Sequence, residues 1–280
     1  MASPAFALTT ALIWAVSPIY YRGFLAKFDF LSLNLLRTCL ATLVLSVPAM
    51  YYWSDSGLTF ALLSGVFTLA FGDSLFLISL RRIGAATATP VAFTYVLMIQ
   101  LIGPALGQTI PYGYFVSALM VVVGVYVLSR GGGGGEPRPR GIALALASGV
   151  FWTIGEELVQ ASTNAGGNFV VVSFASRAAA AFVIGAAFFL TRRSRVWPDS
   201  LPKKEIGFML ALIVFDLVLA STLFVYSVST IGVALTVILT SLAPALTQVF
   251  AKALGKESPS IKDFAGGALI VAALVVAMVV

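Results

Sequence analysis

The sequence predicts an all-α membrane protein of ten transmembrane helices in two inverted five-helix repeats. Three observations predict it. Sixty per cent of the 280 residues are apolar and only 10% are charged, against about 25% charged in a soluble domain. The apolar residues gather into runs of roughly 20, the length that crosses the hydrocarbon core of a bilayer. Finally, the chain resembles itself at a constant offset: when 83–111 is set against 231–259, eight of 29 positions are identical, including Gly84/Gly232, Gln100/Gln248, Gly107/Gly255 and Pro111/Pro259.

The runs follow in order. The first, 4–22, carries Trp14 and is followed by Arg22 and Lys27; with no basic segment ahead of it, it is expected to stay as a helix instead of being cleaved as a signal. The second, 30–52, holds Arg37 and Cys39. The third, 57–80, holds Asp73 and ends at Arg81 and Arg82. The fourth, 84–107, is interrupted by Pro90 and Pro104 and carries Thr94, Tyr95 and Gln100; the fifth is 110–129. Five glycines, Gly131 to Gly135, then lead into Glu136, Pro137, Arg138, Pro139 and Arg140. A phosphate-binding loop would continue with Gly-Lys-Ser/Thr, so this stretch reads as a flexible linker. It divides the chain into a first repeat, 1–130, a linker, 131–140, and a second repeat, 141–280. The remaining runs are 140–160 with Trp152, Glu156, Glu157 and Gln160; 168–191 with Arg177; 205–230 with Asp216; 232–254 with Pro244 and Gln248; and 260–280.

An odd number of spans per repeat turns the second repeat upside down, an arrangement that places a binding site near the midplane. Charge follows the same scheme. Of 17 basic residues, 15 fall in or beside the odd-numbered connections, and the other two, Arg37 and Arg177, lie inside runs. Cytoplasmic loops carry the excess of Lys and Arg, so the odd connections are expected in the cytoplasm of a plasma-membrane protein, with both termini outside. The net charge of +6 forms no stripe or face, which argues for membrane anchoring and against nucleic acid.

Histidine is absent and Cys39 is the only cysteine. This removes intramolecular disulfides, cysteine metal sites and the usual proton shuttle. No cofactor or metal is expected, and Ser/His or His/metal intramembrane enzymes are excluded. A paired-aspartate protease is the one enzymatic rival, since two close carboxylates can share a proton and activate water. That class has Tyr-Asp first and Gly-x-Gly-Asp second; here Gly72-Asp73 comes first and Ala70 stands where the leading glycine belongs. A channel or scramblase is the other rival, and would need a continuous polar path.

Ionisable groups inside a span cost about 2.5–3.5 kcal/mol on insertion scales, so they face a bundle interior or a wet cavity. Asp73, Glu156, Glu157 and Asp216 are candidates for substrate binding or coupling. Successive helical residues point about 100° apart, so at most one of Glu156 and Glu157 is expected to face a cavity fully. Glu156 or Asp73 is the candidate for proton exchange. Trp14 and Trp152 occupy matching places and are cavity candidates, as are Thr94 and Tyr95. Arg37 and Arg177 read as matching structural cations, snorkelling or paired with acids, with bidentate binding of a substrate carboxylate as the alternative. Gln100 and Gln248 read as amides that hydrogen-bond across the repeat axis. The expected partners are the lipid bilayer, a small solute and, as coupling ion, the proton, with the chain a monomer or homodimer.

The stretches FLISLRRIGAATATPVAF and FVYSVSTIGVALTVILTSLAPALTQVFAKALGKESPS, the second with Leu254-Gly255 ahead of Glu257, resemble the EamA-like branch of the drug/metabolite transporter superfamily. The resemblance runs along nearly the whole chain. It implies a secondary transporter, not an enzyme, that exports amino acids, metabolites or drugs through a central cavity between the repeats by alternating access. It also implies cytoplasmic termini for many members, opposite to the reading from charge.

Overall fold

The computed structural model describes residues 2–131, 139–191, 197, 201–255 and 261–279. Every regular element among them is helical. The chain begins with α1 (Ala2–Phe24) and α2 (Phe30–Tyr51). α3 (Leu58–Gly65) continues through a π-helical segment, Val66–Gly72, into α4 (Asp73–Ile83). α5 (Ala85–Ala92), α6 (Tyr95–Ile102) and a 3₁₀ turn, Gly103–Leu106, follow, then α7 (Tyr112–Gly131). Beyond the glycine run lie α8 (Pro139–Asn164) and α9 (Phe169–Leu190). α10 (Lys203–Ile213) runs through a second π segment, Val214–Ala220, into α11 (Ser221–Thr240), and α12 (Leu242–Ala253) and α13 (Ile261–Val279) complete the chain. Most of the linker stretch, with Arg138, and also Arg192, Arg193, Arg195 and Lys256, lie outside the described residues.

Seven helical runs are long and apolar enough to cross a membrane. The last, Lys203–Ala253, has 51 residues and would be about 75 Å long if straight, more than twice the hydrocarbon thickness. It is not straight. Gly232 breaks it with φ 78° and ψ 158°, a conformation only glycine adopts cheaply. Gly84, 148 residues earlier, makes the same break between α4 and α5 with φ 80° and ψ 165°. The two π segments are separated by the same 148 residues.

Side-chain placement is inverted relative to a soluble protein. Leu43, Val47, Phe182 and Phe189 are 69–78% exposed, while Arg37, Asp73, Glu156, Arg177 and Asp216 are buried. Lipid around the bundle accounts for both, because the outer surface then needs no polar cover and the ionisable groups can partner inside. Asp29 and Asn168 cap α2 and α9 through their side chains, to Leu31 N and Val170 N. α2 packs along α9, α7 along α13, and α1 along α11 and α12. α8 lies against the first π segment and α3, α4 and α5. Small residues permit the closest crossings: a Cβ on Gly65 would sit 1.8 Å from the backbone oxygen of Ser176, the close backbone approach typical of helices packed in lipid.

Candidate functional site

α1, α2, α6, α8, α9 and the two π-interrupted helices enclose a cavity of ≈ 100 Å³, enough for several waters or a small solute. The π segments shape its wall. A π turn widens the helix and frees carbonyls. The oxygen of Leu69 in the first accepts from Asn34 Nδ2 at 2.8 Å, and that of Leu217 in the second accepts from Arg177 Nε at 3.1 Å. Leu69 and Leu217 are again 148 residues apart. Each π segment also sets a carboxylate toward the cavity: Asp73 follows the first and Asp216 lies within the second.

The two aspartates share one cation. Arg37 Nη2 lies 3.1 Å from Asp73 Oδ2 and 3.1 Å from Asp216 Oδ2. Arg37 Nη1 donates to Asn34 Oδ1 at 3.2 Å, and the guanidinium carbon stands 4.3 Å from the centre of the Tyr21 ring. Tyr21 Oη donates to Asp216 Oδ2 at 2.8 Å, and Trp152 Nε1 donates to Asp73 Oδ1 at 3.1 Å. Both aspartates are therefore hydrogen-bonded, and they share the single positive charge of Arg37. A protease dyad needs water between its carboxylates; here a guanidinium lies between them, and no such dyad is formed.

Glu156 is different. It lines the same cavity and is 7% exposed, yet among the described residues its carboxylate makes no hydrogen bond. The charges that act on it are Arg177, Asp73 and Glu157. Arg177 spends Nε and Nη1 on Leu217 O, Ser173 O and Ser176 Oγ. Aromatic rings line the cavity: Trp152 packs 5.0 Å from Phe76 and 5.7 Å from Tyr95, and Trp14 packs 5.2 Å from Phe224.

Trp14, Asp73, Tyr95, Trp152, Glu156 and Asp216 come together in the lining, joined by Arg37 and Arg177, for which the sequence favours a structural role. Two expected site residues stand elsewhere. Thr94 turns its hydroxyl back to Val91 O at 2.8 Å, satisfying its own helix. Glu157, one residue around α8 from Glu156, accepts from Gln108 Nε2 at 2.5 Å and is outside the lining. The arginines are also not strict counterparts: Arg37 is eight residues past its helix cap and Arg177 nine past its own. Gln100 Nε2 donates to Ala234 O at 3.0 Å and Gln248 Nε2 to Ala86 O at 3.3 Å. Donors and acceptors alike are 148 positions apart.

Tyr21, Asn34, Thr68 and Ser221 were missed. Tyr21 is seven residues past Trp14 on one face of α1, and Asn34 is three before Arg37, spacings that place side chains on a shared face. Thr68 and Ser221 are the partners of Asp216 and Asp73 at the 148-residue offset, so the repeat alone could have located them.

An all-helical apolar bundle with an ionisable cavity at its centre has the build of a membrane transporter. The EamA-like transporter family model matches residues 2–130 and 139–279, and the chain belongs to that family. A solved structure described only as "Crystal structure of protein" is similar in fold, with a TM-score of 0.76 at 22% identity over 99% of this chain and 96% of that one. No curated protein matches the chain.

Proposed function

We propose that this protein is a secondary transporter that exports a small metabolite by alternating access, built from ten spans in two inverted five-helix halves. The break at Gly232 divides the 51-residue run into two spans, and α7 and α13, of 20 and 19 residues, supply the rest. The reciprocal bonds of Gln100 and Gln248 support the inversion, because a two-fold axis between the halves converts each bond into the other. The cavity is then the substrate site, between helices of both halves, and the odd connections face the cytoplasm.

One observation carries the transport reading: Glu156 is a buried carboxylate, facing a cavity, without a hydrogen-bond partner among the described residues. A structural acid would be paired, as Asp73 and Asp216 are. An unpaired one is free to exchange a proton for cargo in each cycle, which makes Glu156 and not Asp73 the coupling residue.

The test uses protein reconstituted in proteoliposomes with an imposed pH gradient and a panel of radiolabelled metabolites. Gradient-driven accumulation of at least one solute is expected, lost on Glu156→Gln while exchange of labelled for unlabelled solute persists. Flux that merely equilibrates and ignores the gradient would favour a channel. Unchanged accumulation by Glu156→Gln would remove the coupling role.

A further inference from the structure

We propose that the cavity takes a small organic ammonium ion, held at its charged nitrogen by Glu156. This rests on the transporter reading and names the class of its cargo. The argument begins with charge. The lining contains three carboxylates, Asp73, Glu156 and Asp216, and two guanidiniums, Arg37 and Arg177. One negative charge is left over across the lining as a whole, since Arg37 alone stands between two aspartates and Arg177 is the cation acting on Glu156; a cationic guest would balance it. Arg37, Tyr21 and Trp152 hold the two aspartates. Arg177 is tied to backbone and hydroxyl oxygens of α9 and the second π segment. Among the described residues, Glu156 alone of the lining carboxylates has no hydrogen bond or ion pair, so its oxygens are the ones open to a ligand.

Hydrogen-bond polarity points the same way. The lining hydroxyls of Ser17, Ser64, Ser176 and Ser221 all donate their protons to backbone oxygens, of Ile13, Ala61, Ser173 and Asp216. Ser17, Ser64 and Ser221 are left presenting lone pairs, while Thr68 Oγ1 and Arg37 Nε are without a partner among the described residues. A cavity that offers acceptors and a free carboxylate suits a ligand with N–H donors and a positive charge.

The walls complete the fit. Aromatic faces attract cations, by about 0.5–2 kcal/mol each as desolvation increases. Phe76, Phe93, Tyr95 and Trp152 form one contiguous ring cluster, with centroid separations of 5.0–6.1 Å, on the Glu156 side of the cavity. Tyr21 already shows a ring of this cavity accepting a cation, the Arg37 guanidinium. Around Glu156 the remaining ionisable groups are Arg177, Asp73, Glu157 and Tyr95. Arg177 repels a second positive charge, which limits the cargo to a monocation with an apolar body.

The test is binding to the full-length protein in nanodiscs, by isothermal titration calorimetry. Four probes share one aromatic body: phenethylammonium, the neutral 3-phenylpropanol, the anionic 3-phenylpropionate and zwitterionic phenylalanine. Phenethylammonium is expected to bind at least tenfold more tightly than the other three. Glu156→Gln is expected to abolish that preference, and Glu156→Asp, which keeps the charge, to retain it, so that loss of folding is told apart from loss of the site. Tighter binding of phenylalanine or phenylpropionate, or full phenethylammonium affinity in Glu156→Gln, overturns the ammonium assignment and leaves the transporter reading standing. Binding of none of the four overturns the assignment; gradient-driven flux of any other solute through the cavity would then uphold transport by itself.

Discussion

Arg37 of α2 donates to Asp216 of the second π segment at 3.1 Å, across 179 positions of the chain. The same nitrogen reaches Asp73 at 3.1 Å. One guanidinium thus ties together the two helices that carry π segments, one before and one after the glycine run. All three groups are buried, and each has further hydrogen bonds.

Removing Arg37 would leave two buried carboxylates facing each other. Breaking a buried ion pair by deleting one partner costs about 3–5 kcal/mol, so Arg37→Met is expected to be strongly destabilised in thermal unfolding monitored in detergent. Adding Asp73→Asn and Asp216→Asn to it should recover much of the loss. Arg37→Lys should fall between, since a point-like ammonium cannot reproduce the fork.

The two cavity tryptophans differ in one bond. Trp152 donates to Asp73, while Trp14 packs on Phe224 and has no hydrogen bond to the described residues. Trp152→Phe is expected to cost about 1.5–3 kcal/mol, the range for a bond to a charged group, and Trp14→Phe distinctly less. Paired unfolding curves read the difference.

Gln100→Leu and Gln248→Leu each remove one reciprocal bond. Interhelical hydrogen bonds in membranes average about 0.6 kcal/mol and reach about 1.7. The two variants are expected to lose similar amounts, within that range. A large loss for one and none for the other would count against a two-fold relation between the halves.

Gly65→Ala places a methyl 1.8 Å from the backbone oxygen of Ser176. Backbone cannot rotate aside, so α3 and α9 must separate, and poor yield and a lowered melting temperature are expected. Gly207→Ala, where nothing lies within 4 Å, should be neutral or stabilising by up to about 1 kcal/mol.

Orientation is tested with Cys39 replaced by Ala and single cysteines introduced at Arg81 or Asp55. A membrane-impermeant maleimide applied to intact cells should label Asp55→Cys and spare Arg81→Cys until the membrane is opened. The reverse pattern would place the basic connections outside.

The sequence by itself determined the membrane class, the location of the apolar runs and the 148-residue repeat. This follows from the solvent: in lipid each span must satisfy its own backbone locally, so span-forming residues are contiguous and readable. It also marked the ionisable residues, since none can be carried into a bilayer without cause. Only the tertiary structure decided their partners. That Arg37 serves both aspartates, that Glu156 lines the cavity while Glu157 turns to Gln108, and that Thr94 folds back on its own helix depend on how each helix is rotated about its axis. That rotation is set by packing between segments distant along the chain, such as Gly65 against Ser176, and neighbouring residues in the sequence carry no record of it.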